Sequence, residues 1–492
     1  MGVKSITNKL TDEKKYFDFW DTQFLPKGLP LLLGAGLGIV LALLLALGEW
    51  FFAIALVFVV PAAILLNKYP FIAIMVWLAT IAFIPPSAQS VYIYWLLHRA
   101  LIPAALAITI LYRMMRLKGF RSLKLGWPEL AMGLYLAYGI SSILLTYGVS
   151  LPATYTFYDR VFVPFMAYLL IKSTSPSEKV LKRLIPFILA ICVAEAIIGL
   201  LSWYRPGVLP ALWGGGAQRH LRVTGTFNEP AVYTSFMMFL MLWLLQMAMS
   251  LKGGLWRLIL LLAFALGMLS ILFSFSRGSW LAASLVILGL LYLYPRPVLS
   301  LAAVVLPIII ILSADVLVDE VSYALERLRS RSTANDRLVV AHAGQRMFLA
   351  KPVFGWGYES YDDHDWMFFE RVGDVVPSVW DIRQSTSHNT FLTILAEMGI
   401  VGFSLFIFPV IWLLVQTVRV LPRMPREGFW SWRLLIIFWL SFGFLITVSQ
   451  FVDMRFFVFT LTLWWIILGL IANIIHIYLH PDEVDAPAEA QA

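Results

Sequence analysis

The chain is dominated by apolar segments, and most are close to the ~20 residues that a helix needs to cross ~30 Å of hydrocarbon. Apolar residues come in long runs and not in alternation, which excludes a membrane β-barrel. Only 13% of residues are charged, against about 25% in a typical soluble domain. These features predict an all-α, polytopic integral membrane protein. They exclude a soluble globular enzyme, a disordered chain and a fibrous repeat.

Hydropathy predicts about 12–14 transmembrane helices. The candidate spans are 29–48, 50–66, 70–86, 91–112, 129–148, 161–172, 184–203, 230–250, 255–275, 279–294, 298–314, 389–418, 434–452 and 456–479. Two of them, 161–172 and 279–294, are short. The expected organisation is an N-terminal segment 1–28, transmembrane helices over 29–314, a large loop 315–387, transmembrane helices over 388–479, and a tail 480–492.

Positive charge in the short loops predicts the orientation, because such loops stay on the cytoplasmic side. With both termini inside, every basic short loop falls inside without adjustment. These loops contain Arg113, Arg116, Lys118, Arg121, Lys124, Lys172, Lys179, Lys182, Arg183, Lys252, Arg257, Arg296, Arg419, Arg423, Arg426 and Arg433. The polar first 28 residues lack the apolar core of a cleavable signal peptide.

Three segments then lie outside: the loop 204–229, the turn around Arg277, and the long loop 315–387. Charge at membrane depth is costly and usually serves a site. Arg277, at the end of an apolar helix, is therefore either functional or reaches the headgroups. In the loop 204–229, Arg219 and Arg222 are either ligand-binding residues or solvated loop charges.

The long loop contains one amphipathic stretch, predicted as a helix from Asn335 to Leu349 with Asn335 as its N-cap. Arg337 and Arg346 are nine residues apart, so they project from nearly opposite faces of an ideal helix. The run YDDHD at 361–365 could ligate a divalent cation, although adjacent residues cannot all converge on one ion. A solvated acidic turn is the alternative.

His388 lies at the outer end of a predicted membrane helix, which Ser385, Thr386 or Ser387 could cap. A histidine there is either a candidate general base, because its ordinary pKa of about 6.5 suits proton transfer near neutrality, or a capping residue. Glu397 is nine residues deeper, and a carboxylate at that depth should be paired or face a polar cavity.

Common catalytic and cofactor motifs are missing from the sequence. It contains no P-loop, G-x-S-x-G, HExxH or zinc-ligand pattern, and one cysteine, Cys192. ATP-driven transport, hydrolysis by these motifs and a cysteine-based metal site therefore have no support. Nothing suggests nucleic-acid binding.

Five short motifs occur in a defined order: GTFNEP at 225–230, SRG at 276–278, PVFGWG at 352–357 after Arg337, SHNTFL at 387–392 and AEMGIVG at 396–402. Together they resemble the bacterial O-antigen ligase and Wzy-type O-antigen polymerase superfamily over about residues 180–420. One departure is Ala231 after NEP, where the family more often has asparagine.

The resemblance implies a membrane glycosyltransferase of the GT-C type at the periplasmic face of the bacterial inner membrane. Such enzymes take a glycan from undecaprenyl diphosphate and pass it to lipid A–core, to a second lipid-linked glycan or to a protein hydroxyl. The ligases are regarded as needing neither metal nor ATP, so no cofactor is expected. The family's functional residues map to Arg222 or Arg219, Arg277, Arg337 and His388.

The resemblance therefore implies a metal-independent glycan transfer, and our hypothesis is that it proceeds with inversion. His388, Arg277 and Arg337 are the candidate catalytic residues. Arg222, Arg219, Arg346 and Glu397 are candidates for binding the diphosphate or the substrate. The main alternative is a polymerase that joins lipid-linked repeat units. The alternative from a different functional class is a transporter of lipid-linked glycans. Such a transporter is expected to contain an internal repeat.

Overall fold

The computed structural model describes residues 36, 38–43, 46–48, 66, 69–80, 94–114, 125–205, 207–209, 222–227, 229–312, 332–373 and 387–479. Residues 1–68 and 69–492 form separate compact units. In the first unit, residues 38–43 are helical. The predicted segments 1–28 and 480–492 lie outside the described residues. So do Arg219 and parts of the loops 204–229 and 315–387.

The second unit is built from helices, which we number in chain order. They are α1 Ile72–Thr80, α2 Leu101–Met114, α3 Trp127–Tyr147, α4 Leu151–Phe157, α5 Val163–Thr174, α6 Glu178–Arg183, α7 Ile185–Tyr204, α8 Pro230–Ser250, α9 Leu255–Leu272, α10 Arg277–Leu293, α11 Pro295–Leu312, α12 Ser332–Ala350, α13 Tyr361–His364, α14 Thr390–Val420, α15 Trp432–Val448 and α16 Val458–Leu479. A π-helical turn precedes α2, and another, Tyr158–Phe162, joins α4 to α5.

In the described part of the chain, six helices are long and apolar enough to cross a membrane: α3, α7, α8, α9, α14 and α16. Shorter apolar helices include α10, α15 and residues 96–111. The prediction of an all-α, polytopic membrane protein is confirmed. Several of the predicted 12–14 spans extend into residues outside the described ranges, so that number stays a prediction.

Two helices form the centre of the second unit. The apolar stretches of α8 and α16 are 89% and 94% buried by neighbouring helices. The outer helices α3, α9, α10 and α14 instead carry exposed leucine, isoleucine and valine side chains. An apolar outer surface of this extent is stable in lipid but not in water.

Helix α14 is broken at Gly399, where φ is 61° and ψ is −169°. The break leaves backbone N–H and C=O groups without partners in the helix, and residues 352–357 form hydrogen bonds with these groups. Trp356 N donates to Ala396 O at 3.0 Å, and Ile400 N donates to Pro352 O at 2.9 Å. Backbone outside a helix is tolerated at membrane depth only where protein covers it. Backbone hydrogen bonds therefore join the motif PVFGWG to the motif AEMGIVG, and we call this arrangement the interlock.

Three predicted boundaries are wrong. Helix α12 begins at Ser332, so Asn335 lies inside it and does not cap it. The cap of α14 is Asn389, whose side-chain oxygen accepts from the amides of Phe391 and Leu392 at 3.0 Å, and not a residue at 385–387. The span predicted at 161–172 belongs to a longer helical path that begins at Leu151.

We expect replacement of Gly399 by alanine to destabilise the protein. This backbone region is accessible almost only to glycine and costs about 1–3 kcal/mol for other residues. An added Cβ would also lie 2.3 Å from Val353 O. Thermal unfolding of the detergent-purified variant should show a lower midpoint. The control is Gly443→Ala in α15, where no atom lies within 4 Å of the added Cβ. Equal midpoints for both variants would contradict the interlock.

The second unit has two ends, which we call upper and lower. At the lower end, Gln246 donates to Phe429 O at 2.8 Å and Asn473 donates to Pro176 O at 3.1 Å. The basic residues at 172–183, 252–257, 296 and 419–433 all belong to helix ends and turns at this lower end. The motif-bearing turns lie at the upper end.

Candidate active site at the upper end

Three turns meet at the upper end: 222–229, 273–277 and 449–456. The first two are joined by Val223 N, which donates to Phe273 O at 3.0 Å. The third packs beside α10, because an added Cβ on Gly278 would lie 2.9 Å from the ring of Phe451. Three separate parts of the sequence therefore build one surface.

Arg222 and Arg277 are brought to the same turn. The guanidinium of Arg222 donates to Phe275 O at 3.2 Å, and Arg277 follows two residues later as the first residue of α10. Helix α10 is held against α8 by a 2.7 Å hydrogen bond between the hydroxyls of Thr234 and Ser279. Arg222 and Arg277 are both half-buried.

His388 occupies a constrained position just before α14. Its φ is 55°, a region that non-glycine residues rarely adopt. The two residues that follow it are held in place: Asn389 caps α14, and Thr390 N donates to Ser449 O at 2.9 Å. Strain of this kind persists where the surroundings fix it, and such positions are common at functional sites.

The charges of Arg337 and Asp453 both act on His388. Burial, followed by the positive charge of Arg337, lowers the pKa of His388, while the carboxylate of Asp453 acts in the opposite direction. The imidazole is therefore neutral at neutral pH and able to accept a proton.

Glu229 also faces this cluster. Burial raises the pKa of Glu229, and the charges of Arg222 and Arg337 oppose that rise. The charge of Arg337 consequently acts on groups in two different turns, Glu229 and His388. The sequence analysis did not select Glu229 as a site residue, although it belongs to the motif GTFNEP.

The remaining predicted residues are placed differently. Arg346 forms an ion pair with Glu370 on the same long segment. Glu397 is 2% exposed and accepts from the guanidinium of Arg455 at 2.6 Å, so the expectation that this carboxylate is paired is confirmed. Arg219 lies outside the described residues.

Arg455 was missed by the sequence analysis. Its guanidinium also donates to Asp453 at 3.0 Å, so one buried cation joins two buried carboxylates. An isolated charge at this depth would be strongly unfavourable, whereas a hydrogen-bonded network is tolerated. The signal available in the sequence was that Glu397 required a cationic partner, and D-M-R at 453–455 is a charged turn between two apolar spans.

A cavity of about 460 Å³ adjoins this network at the upper end. It is lined by Tyr147, Ser150, Pro152, Ala153, Thr156, Glu359, Tyr361, Asp362, Asp363, Glu397, Arg455 and Phe456. The run YDDHD is thus part of a cavity wall, with Asp362 and Asp363 exposed and Asp365 buried. Among the described residues, no group of three or more His, Cys, Asp or Glu is arranged to hold a metal ion.

The fold defines a multi-pass α-helical membrane protein, and the candidate site at its upper end contains arginines and a histidine. Residues 259–407 match the family model described as O-antigen ligase. This match over 259–407 confirms the resemblance to the O-antigen ligase superfamily. The matched segment contains Arg277, Arg337, His388 and Glu397.

A comparison with curated proteins finds no match to this chain. The family match supports a ligase-like, glycosyltransferase-like activity on lipid-linked glycans in a membrane. It does so at the level of the family and names no particular donor or acceptor.

Proposed function

We propose that this protein is an O-antigen ligase, which transfers a glycan from undecaprenyl diphosphate to a hydroxyl of lipid A–core during lipopolysaccharide synthesis. The observation that carries the proposal is the position of Arg337 in the matched segment 259–407, where its charge acts on His388 of the same segment and on Glu229 in an earlier turn. The cationic Arg337 and the neutral imidazole of His388 therefore both belong to the upper end of the protein.

The arginines suit the leaving group. Cleavage of the sugar–diphosphate bond leaves negative charge on the phosphate oxygens, which guanidinium groups bind in a bidentate manner. Arg222, Arg277 and Arg337 would hold the diphosphate and stabilise this developing charge. The polyprenyl chain would remain in lipid beside the apolar outer surface.

His388 suits the acceptor. A sugar hydroxyl is a weak nucleophile until a base removes its proton. In the proposed step the acceptor oxygen attacks the anomeric carbon, the bond from that carbon to the diphosphate oxygen breaks, and the proton passes to His388. A single displacement of this kind inverts the configuration at the anomeric carbon.

The distribution of charge supports an orientation in the membrane. The basic turns lie at the lower end, opposite the site, and such turns stay in the cytoplasm. We therefore infer that the upper end faces the periplasm of the bacterial inner membrane, with both termini cytoplasmic. The described residues 332–373 of the long loop are then periplasmic.

Reconstitution tests the proposal and separates it from a polymerase. Purified protein in proteoliposomes would be incubated with lipid-linked glycan from the source organism, with or without lipid A–core. A ligase should give a single transfer that depends on lipid A–core. A ladder of longer lipid-linked chains without lipid A–core would instead indicate a polymerase, and the absence of any product would contradict glycan transfer.

A further inference from the structure

The cavity between α3, α13 and the turn 449–456 is not used by the proposed transfer step. Its floor is formed by the buried ion pair of Glu397, which is 2% exposed, and Arg455, which is 5% exposed. Arg455 contacts Asp453, and Asp453 acts electrostatically on His388. The ion-pair network at the cavity floor therefore includes a carboxylate, Asp453, that acts on the proposed base.

The wall is ordered by specific contacts. The hydroxyl of Tyr147 donates to Asp363 at 2.6 Å and to Glu359 O at 2.8 Å. Glu359 also forms an ion pair with Arg160, whose guanidinium lies 4.9 Å from the ring centre of Phe456. These contacts connect three helical regions, so the cavity has a defined shape.

The lining combines aromatic, hydroxyl and carboxylate groups. Tyr147, Tyr361 and Phe456 supply rings, and Ser150 and Thr156 supply hydroxyls. Arg160 and Arg455 compensate Glu359 and Glu397, whereas Asp362 and Asp363 add negative charge at the exposed rim. Phosphate and carboxylate ligands are repelled by such a surface, while sugar hydroxyls donate well to carboxylates.

We propose that this cavity binds a sugar residue without anionic groups, next to the site of transfer. The inference rests on the proposed glycan transfer and specifies its substrate. The negatively charged diphosphate would bind the arginines on one side of His388, and the hydroxyl-rich sugar would bind the cavity on the other. The sugar could belong to the donor glycan or to the acceptor.

A direct binding experiment tests the cavity without requiring turnover. Saturation-transfer difference NMR would be recorded on the full chain in nanodiscs with methyl glucoside or methyl glucuronide. The variant is Asp362→Asn with Asp363→Asn. Both side chains are exposed, and an asparagine at 363 can still accept the hydrogen bond from Tyr147, so folding should be kept. The control is Glu427→Gln, an exposed carboxylate at the lower end.

We expect saturation transfer to methyl glucoside in the wild type and in the control, a weaker signal with methyl glucuronide, and loss of the signal in the double variant. Equal signals for the wild type and the double variant would overturn the inference. So would equal signals for the two sugars, or no signal for methyl glucoside in the wild type.

Kinetics distinguish the two sources of the sugar. A hydrogen bond to a charged group contributes enough that its loss should raise KM about tenfold. The double variant should raise KM for the donor or for the acceptor, with kcat nearly kept. An unchanged KM for both substrates in an active enzyme would overturn the cavity proposal alone. An inactive wild type would overturn the proposed transfer, and the NMR result would still decide whether the cavity binds sugar.

Discussion

Replacement of His388 by alanine should lower the rate of glycan transfer by about 10²–10⁴-fold, the usual contribution of a general base. The variant should still insert and fold, because Asn389 and not His388 caps α14. Initial rates in proteoliposomes measure the effect. Added imidazole should restore part of the activity, which a purely structural defect would not allow.

The matched control is His476→Ala near the lower end of α16. Its activity should equal that of the wild type. If His388→Ala transferred glycan at the normal rate, His388 would not be the base, and Glu229 would be the next group to replace, because it faces the same arginines.

Replacement of Arg337 by alanine should lower kcat by about 10²–10³-fold, the effect of removing one group that stabilises developing negative charge. Lysine at this position should restore only part of the activity, because it keeps the charge but not the bidentate geometry. Arg371→Ala, an exposed arginine further along the same segment, should have little effect.

The Arg337 variant should also change the pH profile. A base works in its neutral form, so activity falls as the pH drops through the pKa of His388. Arg337 lowers that pKa, and its removal should therefore move the acidic limb of kcat/KM to higher pH. A normal rate with an unmoved limb would show that Arg337 neither binds the diphosphate nor acts on His388.

Much of the fold could be predicted from the local pattern of apolar residues in the sequence. Long apolar runs predicted helices because an isolated membrane helix satisfies all its own backbone groups. The ordered motifs indicated the superfamily and drew attention to Arg222, Arg277, Arg337 and His388. The roles of these residues remain predictions.

Other features depended on contacts between distant parts of the chain. Nothing local in AEMGIVG indicates that α14 breaks at Gly399, because the break is stabilised by hydrogen bonds from residues 352–357. The same reason explains why Arg455 was missed. Its importance arises from Glu397, 58 residues earlier in the chain.

The apolar runs by themselves determined that the chain is a helical membrane protein, since the length of a helix against the thickness of a bilayer is a local property. Tertiary structure alone decided which of the few charges meet. Arg346 pairs with Glu370, Arg455 joins Glu397 to Asp453, and the charge of Arg337 lowers the pKa of His388. Charge pairing depends on distance in space, and in this protein helix packing sets those distances.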